Sequence, residues 1–246
     1  MSIQSTVSRI IDVIEEASKQ YSIDATELVK RLKELNYSDT ESHQQALSYA
    51  LNRISIDQPN WTFVAASLYL EDLYKKVSEI RGYCRSKKYG DFYDLIKGLT
   101  DKGIYSKDLL KQYSIDEINE LKMEINPTRD HLFNFIGLFL LADRYLAKDH
   151  DKNLYELPQE RFMVIAMTIM QQEKKDKRME LVKEAYWALS NLYMTVATPT
   201  LANAGKSHGQ LSSCFIDTVD DSLDGIYLNN WDIARLSKDG GGIGVY

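Results

Sequence analysis

Glycine is missing from the start of this chain: the first is Gly82, and seven of the twelve lie between Gly205 and Gly244. Proline is nearly as scarce, at Pro59, Pro127, Pro158 and Pro199 only. With so few turn-formers, residues 1–195 are predicted to be helical, and the later glycine cluster predicts tight turns after them. Cysteine is limited to Cys84 and Cys214. That excludes a disulfide framework, and no Cys-x-x-Cys or Cys/His spacing offers a structural zinc site. The longest apolar run, Phe135 to Ala142, is far too short to cross a bilayer. The opening "MSIQSTVSRI" is not a signal peptide. Basic charge is not in excess either: the formal net charge of -6 and pI near 5.3 argue against a general nucleic-acid binder. The expected setting is cytoplasmic, where a disulfide is a working redox pair rather than a staple.

What is present is apolar periodicity. Val7, Ile10, Ile11, Ile14 and Ala17 share a face at the 3.6-residue period. "DATE" (Asp24 to Glu27) has capping-box form, with Leu28, Val29, Leu32 and Leu35 behind it. "SDTE" from Ser38 opens a third helix, continued by Ala46, Leu47, Ala50 and Ile54. Asn60 is placed to cap a fourth, with Trp61, Val64, Ala65, Leu68, Leu70 and Leu73 inside it. "SIDE" (Ser114 to Glu117) is another cap, and Pro158 suits a first helical position. Leu181, Ala185, Leu189 and Leu192 form a later stripe that includes Trp187 among its neighbours. These stripes, with Trp61 and Trp187, are expected to be core.

From Leu211 the pattern changes. "LSSCFIDTV" reads as a strand. A helix follows, capped by Asp221 or Ser222, with Leu223, Ile226, Ile233, Ala234 and Leu236 as its apolar positions. Gly240 to Gly242 end it, and "IGVY" opens a second, buried strand. Strand, helix, strand makes a βαβ unit and implies a parallel sheet or barrel.

The chemistry concentrates here. Read alone, Cys214 is either a reactive thiol or a small buried hydrophobe. His208, six residues earlier, is either a base or a solvated loop residue. Thr198, Ser212 and Ser213 offer hydroxyls, and the loop's N–H groups could form an anion nest. The glycine cluster lets backbone approach a ligand closely, or is only a helix cap and turn. It has neither the dinucleotide fingerprint, since position 245 is Val245, nor a Walker A loop. These groups are expected to meet at strand ends, where ligands bind in such sheets.

"ATPTLANAG", "QLSSCFI", "DDSLDGIY" and "LSKDGGGIGVY", in this order across residues 197–246, resemble the large subunit of class I ribonucleotide reductases. "TRDHLFNFIGLFLLADRYL" is similar to that family's helical domain, and "ISIDQPNWTFVAASLYLEDLYKK" to the segment closing its ATP-cone. The resemblance implies a mainly α N-terminal region followed by the first βαβ unit of a ten-stranded α/β barrel. Its divisions fall at 1–75 (a degenerate ATP-cone-like segment), 76–195 (helical domain) and 196–246 (barrel start). It implies reduction of ribonucleoside diphosphates by a radical and a cysteine pair. Cys214 matches one member of that pair and its thiol would donate at the 2' position. Thr198, Ser213 and the backbone at Gly241 and Gly242 match substrate contacts. Asp221, Ser222 and Leu223 match the start of an allosteric deoxynucleotide site, and the helix they open resembles the dimer helix. No metal or cofactor is expected on this chain. Expected partners are the remainder of the large subunit, a second large subunit, a metal-containing small subunit that supplies the radical, dNTP and ATP effectors, and thioredoxin or glutaredoxin.

Two departures shape the expectations. The phosphate-gripping basic turn that opens an ATP-cone is not found before Gly82, so activity sensing is expected to be weak or missing. Cys84 matches no family cysteine, and the redox partner of Cys214 is expected beyond Tyr246. The sequence is therefore read as the N-terminal portion of a large subunit, inactive alone, whether a split-gene half, one side of an intein or intron interruption, or a truncated sequence. The alternative is a non-catalytic regulatory or relic module that binds a full-length large subunit.

Overall fold

The computed structural model describes residues 3–34, 39–238 and 240–246. Among them the helices are α1 (Ile3–Tyr21), α2 (Thr26–Glu34), α3 (Asp39–Asn52), α4 (Trp61–Arg81), α5 (Phe92–Asp101), α6 (Asp108–Gln112), α7 (Ile115–Glu124) and α8 (Phe135–Arg144). Then come α9 (Pro158–Met170), α10 (Lys175–Ser190), α11 (Thr198–Asn203), strand β1 (Cys214–Asp217), α12 (Leu223–Lys238) and strand β2 (Gly242–Val245). The expected order, helices and then strand–helix–strand, is the order found. The chain forms two compact units that alternate along the sequence.

The first unit comprises Met1–Gly90, Asn126–Leu146 and Asn153–Pro158. One cluster joins Ile10, Ile11, Ile14 and Ala17 of α1 to Leu28 and Leu32 of α2, Ala46 and Ala50 of α3, and Trp61, Val64 and Leu68 of α4. Each large aliphatic side chain buried this way contributes roughly 1.5–3 kcal/mol, which fixes the helix faces that the 3.6 period indicates. α4 ends at Gly82, whose φ of 69° and N–H bond to the Ser78 carbonyl form a left-handed cap. Two buried carboxylates of this unit are paired. The Asp130 carboxylate, 1% exposed, accepts from the Tyr74 hydroxyl at 2.6 Å and the Tyr89 hydroxyl at 2.8 Å. Glu71 takes ion pairs from Arg9 and Arg85.

Three local expectations fail in this unit. Asn60 sits at the N-cap position of α4, but its side chain makes no capping bond. Its amide donates instead to the Tyr21 carbonyl at 3.1 Å. Asp24 does bond the Thr26 N–H at 3.0 Å, whereas Glu27 is drawn into an ion pair with Arg53 at 2.9 Å. Ile54 lies past the end of α3 and is 40% exposed. Leu35 and Ser38 lie outside the described residues.

The second unit comprises Asp91–Ile125, Ala147–Lys152 and Gln159–Tyr246. Asp91 caps α5 through the Asp94 N–H at 3.0 Å. Ser114 and Glu117 form the expected capping box on α7. Arg178, 1% exposed, donates to Glu117 at 2.9 Å and lies over the Tyr113 ring at 4.5 Å. This ties α10 to α7. α9 carries an unbroken buried run, Phe162 to Met167, and Pro158 opens it as expected. The α10 stripe buries Ala185 and Leu189 as expected, together with Arg178, Val182, Tyr186 and Ser190, while Leu181 is only half-buried. Trp187 falls off that stripe: it is 52% exposed and stacks on Tyr193 at 5.0 Å. Leu192, expected in the stripe, follows the helix with φ 61° and is 45% exposed.

β1 and β2 pair in parallel, with Cys214 opposite Gly242 and Asp217 opposite Val245. α12 packs on β2, completing the βαβ unit. β2 is not buried as expected: Val245 is 50% and Tyr246 93% exposed. Two strands of four residues each present too little sheet to cover their own apolar side chains.

Candidate functional site

The segment 197–214 is more ordered than a polar loop. Its first part is α11, where Pro199 sits in the first helical turn and Thr198 is the first helical residue. α11 holds the returning chain: Thr200 Oγ1 donates to the Leu211 carbonyl at 2.9 Å and Asn203 Nδ2 to the Gln210 carbonyl at 2.9 Å. Between them Gly205 adopts φ 74°, and a Cβ there would stand 2.4 Å from Val164 Cγ1. Only glycine lets this backbone lie against α9. The turn is bolted further by Ser106 N–H to the Gly205 carbonyl at 2.8 Å and Ser207 N–H to the Ile104 carbonyl at 2.9 Å. His208 is exposed on this turn.

The strand register then brings two candidate groups together. Cys214 is the first residue of β1 and Gly242 the first of β2, directly opposite each other. Gly242 donates its N–H to the Ser213 carbonyl at 2.9 Å. The Ser213 hydroxyl donates to the Cys214 sulfur at 3.4 Å. Cys214 is a free, exposed thiol, which removes the reading of a buried hydrophobe. Phe215 packs over the turn; a Cβ at Gly241 would meet its ring at 2.7 Å. The glycine cluster is thus a helix terminus and turn, with the Phe215 ring lying closely over Gly241.

The loop amides do less than expected. Gly241 N–H bonds the Leu236 carbonyl and Gly242 N–H the Ser213 carbonyl, each at 2.9 Å. Ser212 N–H bonds its neighbour Gln210 Oε1 at 2.5 Å. These three amides serve the fold; of them only that of Ser212 belongs to the 197–214 loop expected to offer an anion nest, and Thr198 and Ser213 are exposed there. The candidate groups do lie at strand ends, but at opposite ends of the sheet. Cys214 and Gly242 stand at the amino ends, while Asp221, Ser222 and Leu223 follow the carboxyl end of β1.

At that other end, the Ser222 hydroxyl caps α12 by accepting from the Gly225 N–H at 3.0 Å. Asp221 and Leu223 are exposed, Leu223 at 71%. Two residues that sequence reasoning missed hold this turn. A Cβ at Gly225 would fall 2.7 Å from Asp220 Cβ, so glycine is required for the turn to fold back. Asn229, the buried residue of α12, donates to Asp217 at 2.6 Å. A paired amide inside an otherwise amphipathic helix was the available signal. Arg161 was missed as well; its signal was a charge heading the apolar run "FMVIAM".

Two domain descriptions match consecutive parts of the chain. Residues 131–209 match "Ribonucleotide reductase, all-alpha domain", and residues 212–246 match "Ribonucleotide reductase, barrel domain". The ribonucleoside-diphosphate reductase subunit alpha of Helicobacter pylori is 42% identical over 219 residues, covering 89% of this chain and 26% of that protein. The subunit alpha of Treponema pallidum is 36% identical over 248 residues, covering 98% of this chain and 29% of the relative. The ribonucleoside-diphosphate reductase 1 subunit alpha of Escherichia coli is 26% identical over 246 residues, 97% of this chain and 31% of the relative. The chain therefore spans between a quarter and a third of the length of these relatives. No described helix is long and apolar enough to cross a membrane.

Proposed function

Because this chain belongs to the ribonucleotide reductase large-subunit family, we propose that it forms the leading part of an enzyme reducing ribonucleoside diphosphates to 2'-deoxyribonucleoside diphosphates. The observation that carries the reading is the β1–β2 register, which sets the exposed Cys214 thiol opposite Gly242 with the Ser213 hydroxyl on its sulfur. In this reading Cys214 is one of two thiols that give up two electrons and leave as a disulfide, while the 2'-hydroxyl departs as water. Thioredoxin or glutaredoxin resets the pair. Thr198 and Ser213 hold the substrate through their hydroxyls, and the backbone around Gly241 and Gly242 adds a further contact. The radical that opens the reaction comes from a metal-bearing small subunit.

Asp221, Ser222 and Leu223 then form part of the effector site, where the amino terminus of α12 favours an anionic nucleotide. The exposed apolar residues of α12, among them Tyr227, Leu228 and Trp231, suit pairing with a second large subunit. Two strands do not close a barrel around Cys214, so residues 1–246 alone are expected to reduce no CDP. The test is turnover by the complete large subunit with its small subunit and thioredoxin. Cys214→Ala is expected to abolish multiple turnover; full multiple turnover in that variant overturns the reading.

A further inference from the structure

We propose that Arg161 is a positioning residue for the nucleotide-reduction site, setting the placement of Thr198 and Ser213 without touching substrate. The inference rests on the substrate roles proposed above for those two hydroxyls. Arg161 lies in α9 and is fully buried, at 0% exposure. Its Nε donates to the Leu201 carbonyl at 3.0 Å, and its Nη2 donates to the Ala204 carbonyl. Both acceptors belong to the carboxyl end of α11, where helix carbonyls have no intrahelical partner and a positive charge is favoured.

α11 is short and carries the candidate groups at both of its attachments. Thr198 is its first residue. Thr200 and Asn203 grip Leu211 and Gln210, and Ser213 follows two residues after Leu211. The backbone bonds Leu201 N–H to Ala197 and Ala204 N–H to Thr200 make α11 a stiff link between them. A guanidinium holds both carbonyls with donors fixed in a rigid planar fork, whereas an ammonium offers rotatable donors on a shorter, more flexible stem. Replacing Arg161 alone leaves the Leu201 and Ala204 carbonyls without that donor, which lowers stability, so the test reads substrate affinity and KM separately from the melting temperature.

The test uses the complete large subunit with its small subunit. Arg161→Met and Arg161→Lys are compared for thermal midpoint, CDP affinity, KM and kcat. The expected result for Arg161→Met is a CDP KM raised about 10-fold or more, since small misplacements of binding groups are costly, at temperatures where the variant is folded. Arg161→Lys is expected to recover part of that loss. Should Arg161→Met fail to fold, Thr200→Val isolates the link to Leu211 and is expected to raise KM in the same direction. Folded variants with wild-type KM and CDP affinity overturn the proposal, whatever their melting temperature. A wild-type enzyme that reduces no ribonucleoside diphosphate instead overturns the functional reading itself.

Discussion

Cys214 and Asp130 are opposite uses of a reactive side chain. Cys214 is exposed with one weak hydrogen-bond partner, so its environment leaves the sulfur accessible. Asp130 is buried beneath two tyrosines, so its environment consumes it. Burial, then the Asp130 charge and hydrogen bond, push the Tyr74 hydroxyl well above its ordinary pKa, which keeps it a donor. Tyr74→Phe removes one donor from a buried carboxylate and is expected to cost about 1–3 kcal/mol, measured by urea unfolding. Gly205→Ala should be worse than an ordinary surface change, because φ 74° and the approach to Val164 both oppose a Cβ. A fall in melting temperature with unchanged secondary structure would show it. Gly205 was visible in the sequence only as a turn-former; its contact with α9 could not be read from the chain.

Among the elements, α12 joins the two candidate ends. It starts at the Ser222 cap and ends at Lys238, and Gly240, with φ 79°, precedes β2. Its polar bond to β1, Asn229 to Asp217, fixes its rotation. Most of its large apolar residues remain uncovered: Tyr227 is 68%, Leu228 61% and Trp231 55% exposed. Ser222→Ala is expected to destabilise the start of α12 by about 1 kcal/mol, seen as faster amide exchange in its first turn. Leu228→Glu is expected to weaken association of complete large subunits by placing an uncompensated charge in the apolar contact, with sedimentation velocity as the readout. Unchanged association would exclude this face from the interface. The strand–helix–strand order was legible in the switch of period after Leu211. The short extent of β1 and the exposed β2 were not, because strand burial depends on what packs against the sheet.

Over the whole chain, stability should depend on acid in one direction. In Glu117, burial opposes ionisation, but the Ser114 N–H and Arg178 outweigh it and hold the carboxyl below its ordinary pKa. In Asp91, burial is likewise outweighed by Lys122 and the Asp94 N–H. A depressed carboxyl contributes stability above its unfolded pKa and loses it as pH falls through the folded value. His131 is held below its ordinary pKa first by burial and then by Lys88, so its forced protonation acts in the same sense. The melting temperature is therefore expected to fall as pH drops from neutral into the carboxylate range. Asp91→Asn and Glu117→Gln should each flatten that dependence.

The sequence by itself determined most of the helices, the buried faces of α1, α2 and α4, the βαβ order and which residues from Thr198 to Gly242 are the chemical candidates. It did so because period, caps and glycine placement are local properties of the chain. Only the tertiary structure decided that Cys214 is exposed, that it faces Gly242 at the amino ends of the strands, and that the amides of Gly241 and Gly242 serve the fold. It likewise decided that Asn60 reaches Tyr21, that Trp187 lies outside the core and that Arg161 anchors α11. Each of these depends on contacts between residues far apart in sequence, whose partners are set by packing rather than by spacing.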